Sequence, residues 1–169
     1  MLCKILKSLI VSVTLVVIAD DSSGATPGYI PKNHSTLLEN WLQSRPDLRF
    51  ATDDDCKCDD DLASLRSDMS DLNYHPYYLS GDLNGDGKTD LALLVVSKVD
   101  ASKRYLVVFN GPLTSGSKPA FFGAANGILV LSSASSLPRK LFVGPPYSEA
   151  AVLEPQGSGY KLVWEEEDD

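Results

Sequence analysis

The feature that most constrains the fold is an unbroken apolar segment, LALLVV, at residues 91–96. A strand with one face in water alternates apolar and polar residues, whereas a strand covered on both faces is apolar throughout. The segment therefore predicts a central strand with other elements packed against both of its faces.

Other strands and two helices are predicted around this segment. Short runs that favour strands lie at residues 77–80, 104–109, 128–131, 140–143, 150–153 and 160–164, separated by Gly, Pro and Asn. The first helix is predicted to start with a capping box, Thr36 and Glu39, and a second to begin at the aspartates of residues 59–61. We therefore expect an α+β fold, with two N-terminal helices followed by a mostly antiparallel sheet of about six to seven strands.

Residues 1–19 have the pattern of a signal peptide. Lys4 and Lys7 precede an uncharged apolar run that ends at Ala19, a small residue suited to cleavage; a second candidate site follows Ala25. A membrane anchor needs about 20 apolar residues, more than this run supplies. We therefore expect export to the periplasm or the medium, with no membrane span after the signal is removed.

The remaining chain divides into three parts. Residues 20–32, rich in Gly, Ser and Pro, predict a flexible leader, and residues 165–169 predict a solvated acidic tail. Residues 33–164 have a length typical of a single domain, and we expect them to form one α+β domain.

The charge balance limits the classes of partner. The chain has 15 Lys and Arg against 23 Asp and Glu, a formal net charge of -8. Nucleic-acid binding requires a basic face, so this composition argues against it. An acidic surface instead favours a cationic partner, for instance a basic envelope or secreted protein.

One motif carries chemistry, the sequence DLNGDGKTD at residues 82–90. It places side-chain oxygens at positions 1, 3, 5 and 9 and a glycine, Gly87, at position 6, where a positive φ lets the loop wrap. Calcium binds six to eight oxygens from a flexible loop of this kind. The alternative is a polar hairpin turn, for which Asn-Gly and Asp-Gly are common, although a turn needs only two such residues. The spacing therefore favours a calcium site.

Residues 81–91 resemble the calcium loop of FG-GAP and VCBS repeats, which leads into a hydrophobic strand. An EF-hand would instead need Glu at position 12, where this chain has Leu93, followed by a helix. The resemblance implies Ca2+ as the bound ion and a set of five ligands. These are the side chains of Asp82, Asn84, Asp86 and Asp90 and the backbone carbonyl of Lys88. The family repeats the unit to build propellers, but here it occurs once, as in exported bacterial proteins with a single such loop.

Cys56 and Cys58 lie between two runs of three aspartates. A redox couple or a thiolate metal site is one reading, but neighbouring anions raise the pKa of a thiol and so oppose both. A local Cys56–Cys58 disulfide and a simple acidic helix cap are the alternatives, and they stay open at this point.

No catalytic residue is predicted, because neither His34 nor His75 lies in a recognised catalytic motif. We therefore expect an exported calcium-binding domain with a non-enzymatic binding or protective role at the cell envelope. A calcium-dependent envelope hydrolase, with Glu149 or Glu154 as general base, is an alternative. A subunit that presents an edge strand to a larger envelope assembly is another.

Overall fold

A computed structural model describes residues 26–69, 74–132 and 138–164, within which the chain forms three helices and nine strands. The helices are α1 (Lys32–Gln43), α2 (Asp53–Cys56) and α3 (Asp59–Asp68). The strands are β1 (Leu48–Phe50), β2 (Tyr78–Gly81), β3 (Asp90–Ser97), β4 (Arg104–Phe109), β5 (Phe121–Ala124), β6 (Ile128–Leu131), β7 (Leu141–Gly144), β8 (Ala151–Gln156) and β9 (Gly159–Trp164). The predicted signal peptide (1–19) and acidic tail (165–169) lie outside the described residues.

The strands form two antiparallel sheets. The first has five strands in the order β1-β3-β4-β5, with β2 also paired to β3. Strands β1 and β2 pair with opposite ends of β3, since Leu48 is opposite Ser97 and Gly81 is opposite Asp90. The second sheet is a meander of four strands, β6-β7-β8-β9.

Strand β3 is the centre of the molecule, and all eight of its residues are buried. On one face, Leu91 and its alternate neighbours pack with Leu37 and Leu38 of α1. On the other face, Ala92 and its alternate neighbours pack with the second sheet and with α3. Because the side chains of a strand alternate between its faces, the apolar run at 91–96 supplies two hydrophobic clusters at once.

The predicted fold class is wrong. Where two N-terminal helices and one sheet of six to seven strands were expected, the described residues form three short helices and two sheets, of five and four strands. The sequence pattern missed β1 and β5, which are short. The separator before residues 128–131, Asn126-Gly127, is typical of a turn between neighbouring strands of one sheet, whereas here it carries the chain from the first sheet to the second. Gly127 has a φ of 88° and lies against the carbonyl of Gly144, so no side chain fits at this position.

The first helix starts earlier than expected, whereas the helix predicted to begin at the aspartates of residues 59–61 does begin there, at Asp59, as α3. Helix α1 begins at Lys32, four residues before Thr36, and Pro31 occupies its N-cap. The Thr36 hydroxyl donates to the Lys32 carbonyl within the helix, at 3.4 Å, and does not cap it. Proline is tolerated at the start of a helix because the N–H groups there have no partner within the helix, so no hydrogen bond is lost, and because its φ is already fixed near the helical value.

Candidate metal centre

The acidic loop of residues 82–89 connects β2 to β3 within the first sheet. Its two ends are held together by strand pairing, since Gly81 is opposite Asp90. Leu83 is 3% exposed and packs into the cluster between the sheets, so it anchors the loop to the core. Strand pairing and the burial of Leu83 therefore fix the position of the loop backbone that carries the polar side chains.

Asp82 and Asn84, two of the predicted ligands, accept hydrogen bonds from the backbone of the loop itself. The carboxylate of Asp82 accepts from the N–H groups of Gly85 (2.7 Å) and Gly87 (3.0 Å). The Asn84 side-chain oxygen accepts from the Asp86 N–H at 2.9 Å. Because a carboxylate or amide oxygen has more than one lone pair, these bonds fix the oxygens while leaving lone pairs that can bind a cation.

Two glycines allow the chain to follow this path. Gly85 has a φ of 80° and Gly87 a φ of 78°, and this left-handed region is costly for a residue with a Cβ. The positive φ predicted for Gly87 is confirmed. The bend turns the N–H of Gly87 back toward Asp82, the first residue of the loop.

Asp86 and Lys88 form the exposed side of the loop. The Asp86 carboxylate accepts from the Lys88 backbone N–H at 2.9 Å, and its second oxygen lies 3.4 Å from the Lys88 Nζ. The backbone N–H of Lys88, helped by its ammonium, holds the pKa of Asp86 below its usual value. The ammonium thus lies beside a carboxylate that was predicted to bind the metal, and a bound cation would compete with it.

Asp90 has a different environment from the other predicted ligands, because it is fully buried. One of its oxygens accepts from the Leu83 N–H and the other from the Gly111 N–H, both at 2.9 Å. The Tyr160 hydroxyl lies 3.3 Å from Asp90 and 2.7 Å from the Asn110 side-chain oxygen. Asp90 therefore ties the loop, the β4–β5 connection and the second sheet together.

The donor set of the loop fits a hard cation. Asp82, Asn84 and Asp86 offer carboxylate and amide oxygens, which are the ligands that calcium prefers over nitrogen or sulfur. Within the described ranges, however, no group of three or more His, Cys, Asp or Glu side chains is arranged to hold a metal ion. Asp90 is directed to backbone and tyrosine donors, so backbone carbonyls such as that of Lys88 and water would complete the coordination shell.

The segment around the two cysteines has a structural arrangement. Cys56 and Cys58 are joined by a disulfide, with Cα atoms 5.2 Å apart, and Lys57 between them has a φ of 55°. Buried Asp55 accepts two hydrogen bonds of 2.7 Å from Arg49. Burial alone would raise the pKa of Asp55, but the bonds from Arg49 and from Thr52 outweigh it and lower that pKa.

Sequence reasoning missed a cluster in which each of the two histidines contacts a tyrosine, and these two tyrosines, Tyr29 and Tyr78, have ring centres 6.2 Å apart. The His34 Nδ1 lies 2.6 Å from the Tyr78 hydroxyl, and the ring of His75 stacks on Tyr29 at 3.9 Å. Burial lowers the pKa of both histidines and raises the pKa of Tyr78 to about 12. The sequence feature that could have indicated this cluster is the aromatic content of residues 74–78, YHPYY. It predicts that these rings pack, but it does not identify the residues that they contact.

The two glutamates proposed as alternative general bases are far from a catalytic arrangement. Glu154 on β8 is half exposed and pairs with Lys161 at 3.0 Å. Glu149 is exposed. A general base needs to be positioned near a reacting group, and within residues 26–69, 74–132 and 138–164 neither side chain shares a polar contact with a second carboxylate.

Comparison of the chain with protein-family models, with curated proteins and with solved structures finds no match in any of the three. The resemblance of residues 81–91 to FG-GAP and VCBS loops therefore stays a prediction. Of the helices in the described ranges, none is long and apolar enough to cross a bilayer.

Proposed function

We propose that this protein is an exported calcium-binding domain, in which residues 82–88 bind one Ca2+ ion and the ion stabilises the edge of the first sheet. The observation that carries the proposal is the pair of bonds from Gly85 and Gly87 to Asp82. They hold a carboxylate at the start of a loop that also contains the oxygens of Asn84 and Asp86.

Charge supports the same conclusion. Asp82 and Asp86 lie in one short loop, and among its residues only Lys88 brings a positive charge. Two nearby carboxylates repel each other, and a divalent cation removes this repulsion. The ion would therefore stabilise the folded chain by mass action, by about 1.4 kcal/mol at ten times its Kd.

The ligands divide into two groups in this proposal. Asp82, Asn84, Asp86 and the Lys88 carbonyl would bind the ion directly. Each oxygen of the fully buried Asp90 already accepts a backbone N–H, and the Tyr160 hydroxyl, which Asp90 shares with Asn110, lies 3.3 Å away, so the main role of Asp90 would be to hold the loop against β3. This division separates variants that affect calcium binding from variants that affect the fold.

Thermal unfolding of the purified protein tests the calcium proposal. We expect 1 mM calcium to raise the melting temperature by about 3 to 5 °C, and a chelator to reverse the rise. The D86A variant should lose the response. D100A is a matched control, since Asp100 is also exposed and accepts a backbone N–H two residues ahead. No calcium-dependent shift in the wild type, with no heat of binding by calorimetry, would contradict the proposal.

Export is tested separately. Residues 1–19 would direct secretion, so a bacterial host should deliver the protein outside the cytoplasm, and mass spectrometry should find a new N-terminus after Ala19 or Ala25. An uncleaved chain retained in the cytoplasm would contradict export. It would not bear on the proposal that the loop binds calcium.

We propose binding, and not catalysis, as the role at the envelope. The exposed aspartates of residues 59–61 at the start of α3 add to the acidic surface of the chain. Such a surface attracts a cationic partner, and salt screens this attraction. A pull-down from the envelope fraction at low and at high ionic strength tests the proposal.

A further inference from the structure

A groove separate from the acidic loop lies between the last turn of α1 and the connection from β4 to β5. Its volume is about 580 Å³. Trp41 and Phe122 form its aromatic part, Arg45 and Lys118 bring positive charge, and Asn40 and Ser117 bring neutral hydrogen-bonding groups. The groove is therefore mixed in chemistry, unlike the apolar clusters in the core.

Arg45 is held in place by the aromatic rings. Its guanidinium lies 4.7 Å from the centre of the Phe122 ring and 5.9 Å from the centre of the Trp41 ring. Phe122 in turn stacks on Tyr105 with ring centres 4.9 Å apart, and Trp41 packs edge-on against Phe109. Because these rings are themselves packed, stacking restricts the Arg45 side chain before any ligand binds. Binding would then cost less side-chain entropy.

The hydrogen-bonding capacity of this guanidinium is largely unused by the described residues. Its one polar contact there is from Nε to the Asp47 carboxylate, at 3.4 Å, which is long for a hydrogen bond. Both the Arg45 and the Asp47 side chains are partly exposed. The two terminal nitrogens have no hydrogen-bond partner in residues 26–69, 74–132 or 138–164, so their paired donors remain for a planar anion such as a carboxylate.

The charge of the groove is opposite to the charge of the chain. Among the described residues, Arg45 and Lys118 line it and no carboxylate does, with Asp47 beside Arg45 at its edge, although the chain has eight more acidic than basic residues. Two cations against one neighbouring carboxylate leave the groove with a positive charge, which is complementary to an anionic ligand.

We propose that this groove binds an acidic saccharide through a carboxylate of a uronate residue. Arg45 would bind the carboxylate with both terminal nitrogens, and Lys118 would add a second positive charge. Asn40 and Ser115 both donate and accept hydrogen bonds, while the Ser44 hydroxyl donates to the Trp41 carbonyl and the Ser117 hydroxyl accepts from the Thr114 N–H, so each of these keeps only part of its capacity. This matches sugar hydroxyls better than the apolar pockets that peptide side chains require.

Tryptophan fluorescence gives a direct readout, because the chain has two tryptophans, Trp41 in the groove and Trp164 exposed on β9. In the W164F variant, Trp41 is the only reporter. The probe is a tetramer of galacturonate, titrated in the presence of chelator because uronates themselves bind calcium. We expect a saturable change with a Kd of about 1 mM or below. The chelator also makes the result independent of the proposed calcium site.

Matched ligands and variants make the test specific. The fully methyl-esterified tetramer, which lacks the charge, should bind at least about tenfold more weakly. R45A should weaken binding of the acid form by a similar factor, R45K less, and K161A, which removes a lysine on the second sheet, should not change it. Circular dichroism checks that each variant is folded.

Three results would overturn the proposal. The first is no saturable change with the acid tetramer. The second is equal binding of the acid and esterified tetramers. The third is tighter binding of a glutamate tetrapeptide than of the galacturonate, which would assign the groove to an acidic peptide.

Discussion

The hydroxyl of Tyr160 lies 3.3 Å from a carboxylate oxygen of Asp90, although the two residues are 70 positions apart in the sequence. Asp90 begins β3 of the first sheet, and Tyr160 belongs to β9 of the second. Burial and the negative charge of Asp90 raise the pKa of Tyr160 well above its usual value, so the hydroxyl stays protonated and can donate. This contact links the candidate metal loop to the packing of the two sheets.

Replacing Asp90 by asparagine should destabilise the protein whether or not calcium is present. An amide in this place turns an NH2 group toward a backbone donor, either that of Leu83 or that of Gly111, and leaves a buried donor unpaired. The cost should be about 2 to 3 kcal/mol, measured by urea unfolding in calcium and in chelator.

Y160F and D86N complete this test. Y160F removes one hydrogen-bond donor and should cost about 1 kcal/mol. D86N changes an exposed residue that we propose as a ligand, so we expect it to alter the calcium response and to leave stability in chelator near the wild-type value. A D90N protein as stable as the wild type in chelator would show that Asp90 does not hold the loop to the core.

The ion pair between Arg49 and Asp55 should contribute more to the free energy of unfolding than a surface ion pair does. Asp55 is 5% exposed, and R49M would leave its carboxylate buried without its main partner. We expect a loss of about 3 kcal/mol in the free energy of unfolding.

Arg66 and Asp53 provide a matched control. They form a similar two-bond pair at 2.8 Å, but both side chains are more than 40% exposed. R66M should therefore cost about 0.5 kcal/mol or less. Equal losses in R49M and R66M would contradict the assignment of Asp55 as a buried carboxylate that depends on its partner.

Stability should fall as the pH drops below about 6.5, because of His34 and His75. Burial lowers the pKa of both rings in the folded protein, so the unfolded chain takes up protons first. Their contribution is complete above the unfolded pKa of about 6.5 and is lost as the pH falls toward the lower folded value, at up to about 1.4 kcal/mol per pH unit for each ring.

Urea unfolding from pH 7.5 to pH 5 measures this effect, and H34Q tests its origin. Glutamine cannot titrate, so H34Q should flatten the pH dependence in this range, and H75Q should flatten it further in the double variant. The lowered pKa values of Asp53 and Asp55 act in a separate window, below about pH 4, where their stabilising contribution is lost. A wild-type curve that is flat between pH 7.5 and pH 5 would contradict the prediction.

Local sequence determined several elements of this protein on its own. The run at residues 91–96 identified the buried central strand, because an unbroken apolar segment has two faces to cover. Predictions at 104–109 and 128–131 match β4 and β6 in their bounds. Gly87 was assigned a positive φ from its place in the loop, because only glycine adopts that conformation without cost.

Only the tertiary structure decided how these elements combine. The chain leaves the first sheet after β5, and Gly127 then lies against the carbonyl of Gly144 where β6 begins to pair with β7. This contact joins residues that are distant in the sequence, so no local periodicity predicts it. The environment of Asp90 likewise depends on donors from Gly111 and Tyr160. The local spacing places the Asp90 carboxylate in a metal-loop pattern. In the folded protein this carboxylate is buried, and a buried carboxylate must be paired. Its partners can lie anywhere in the chain, so local sequence does not reveal them.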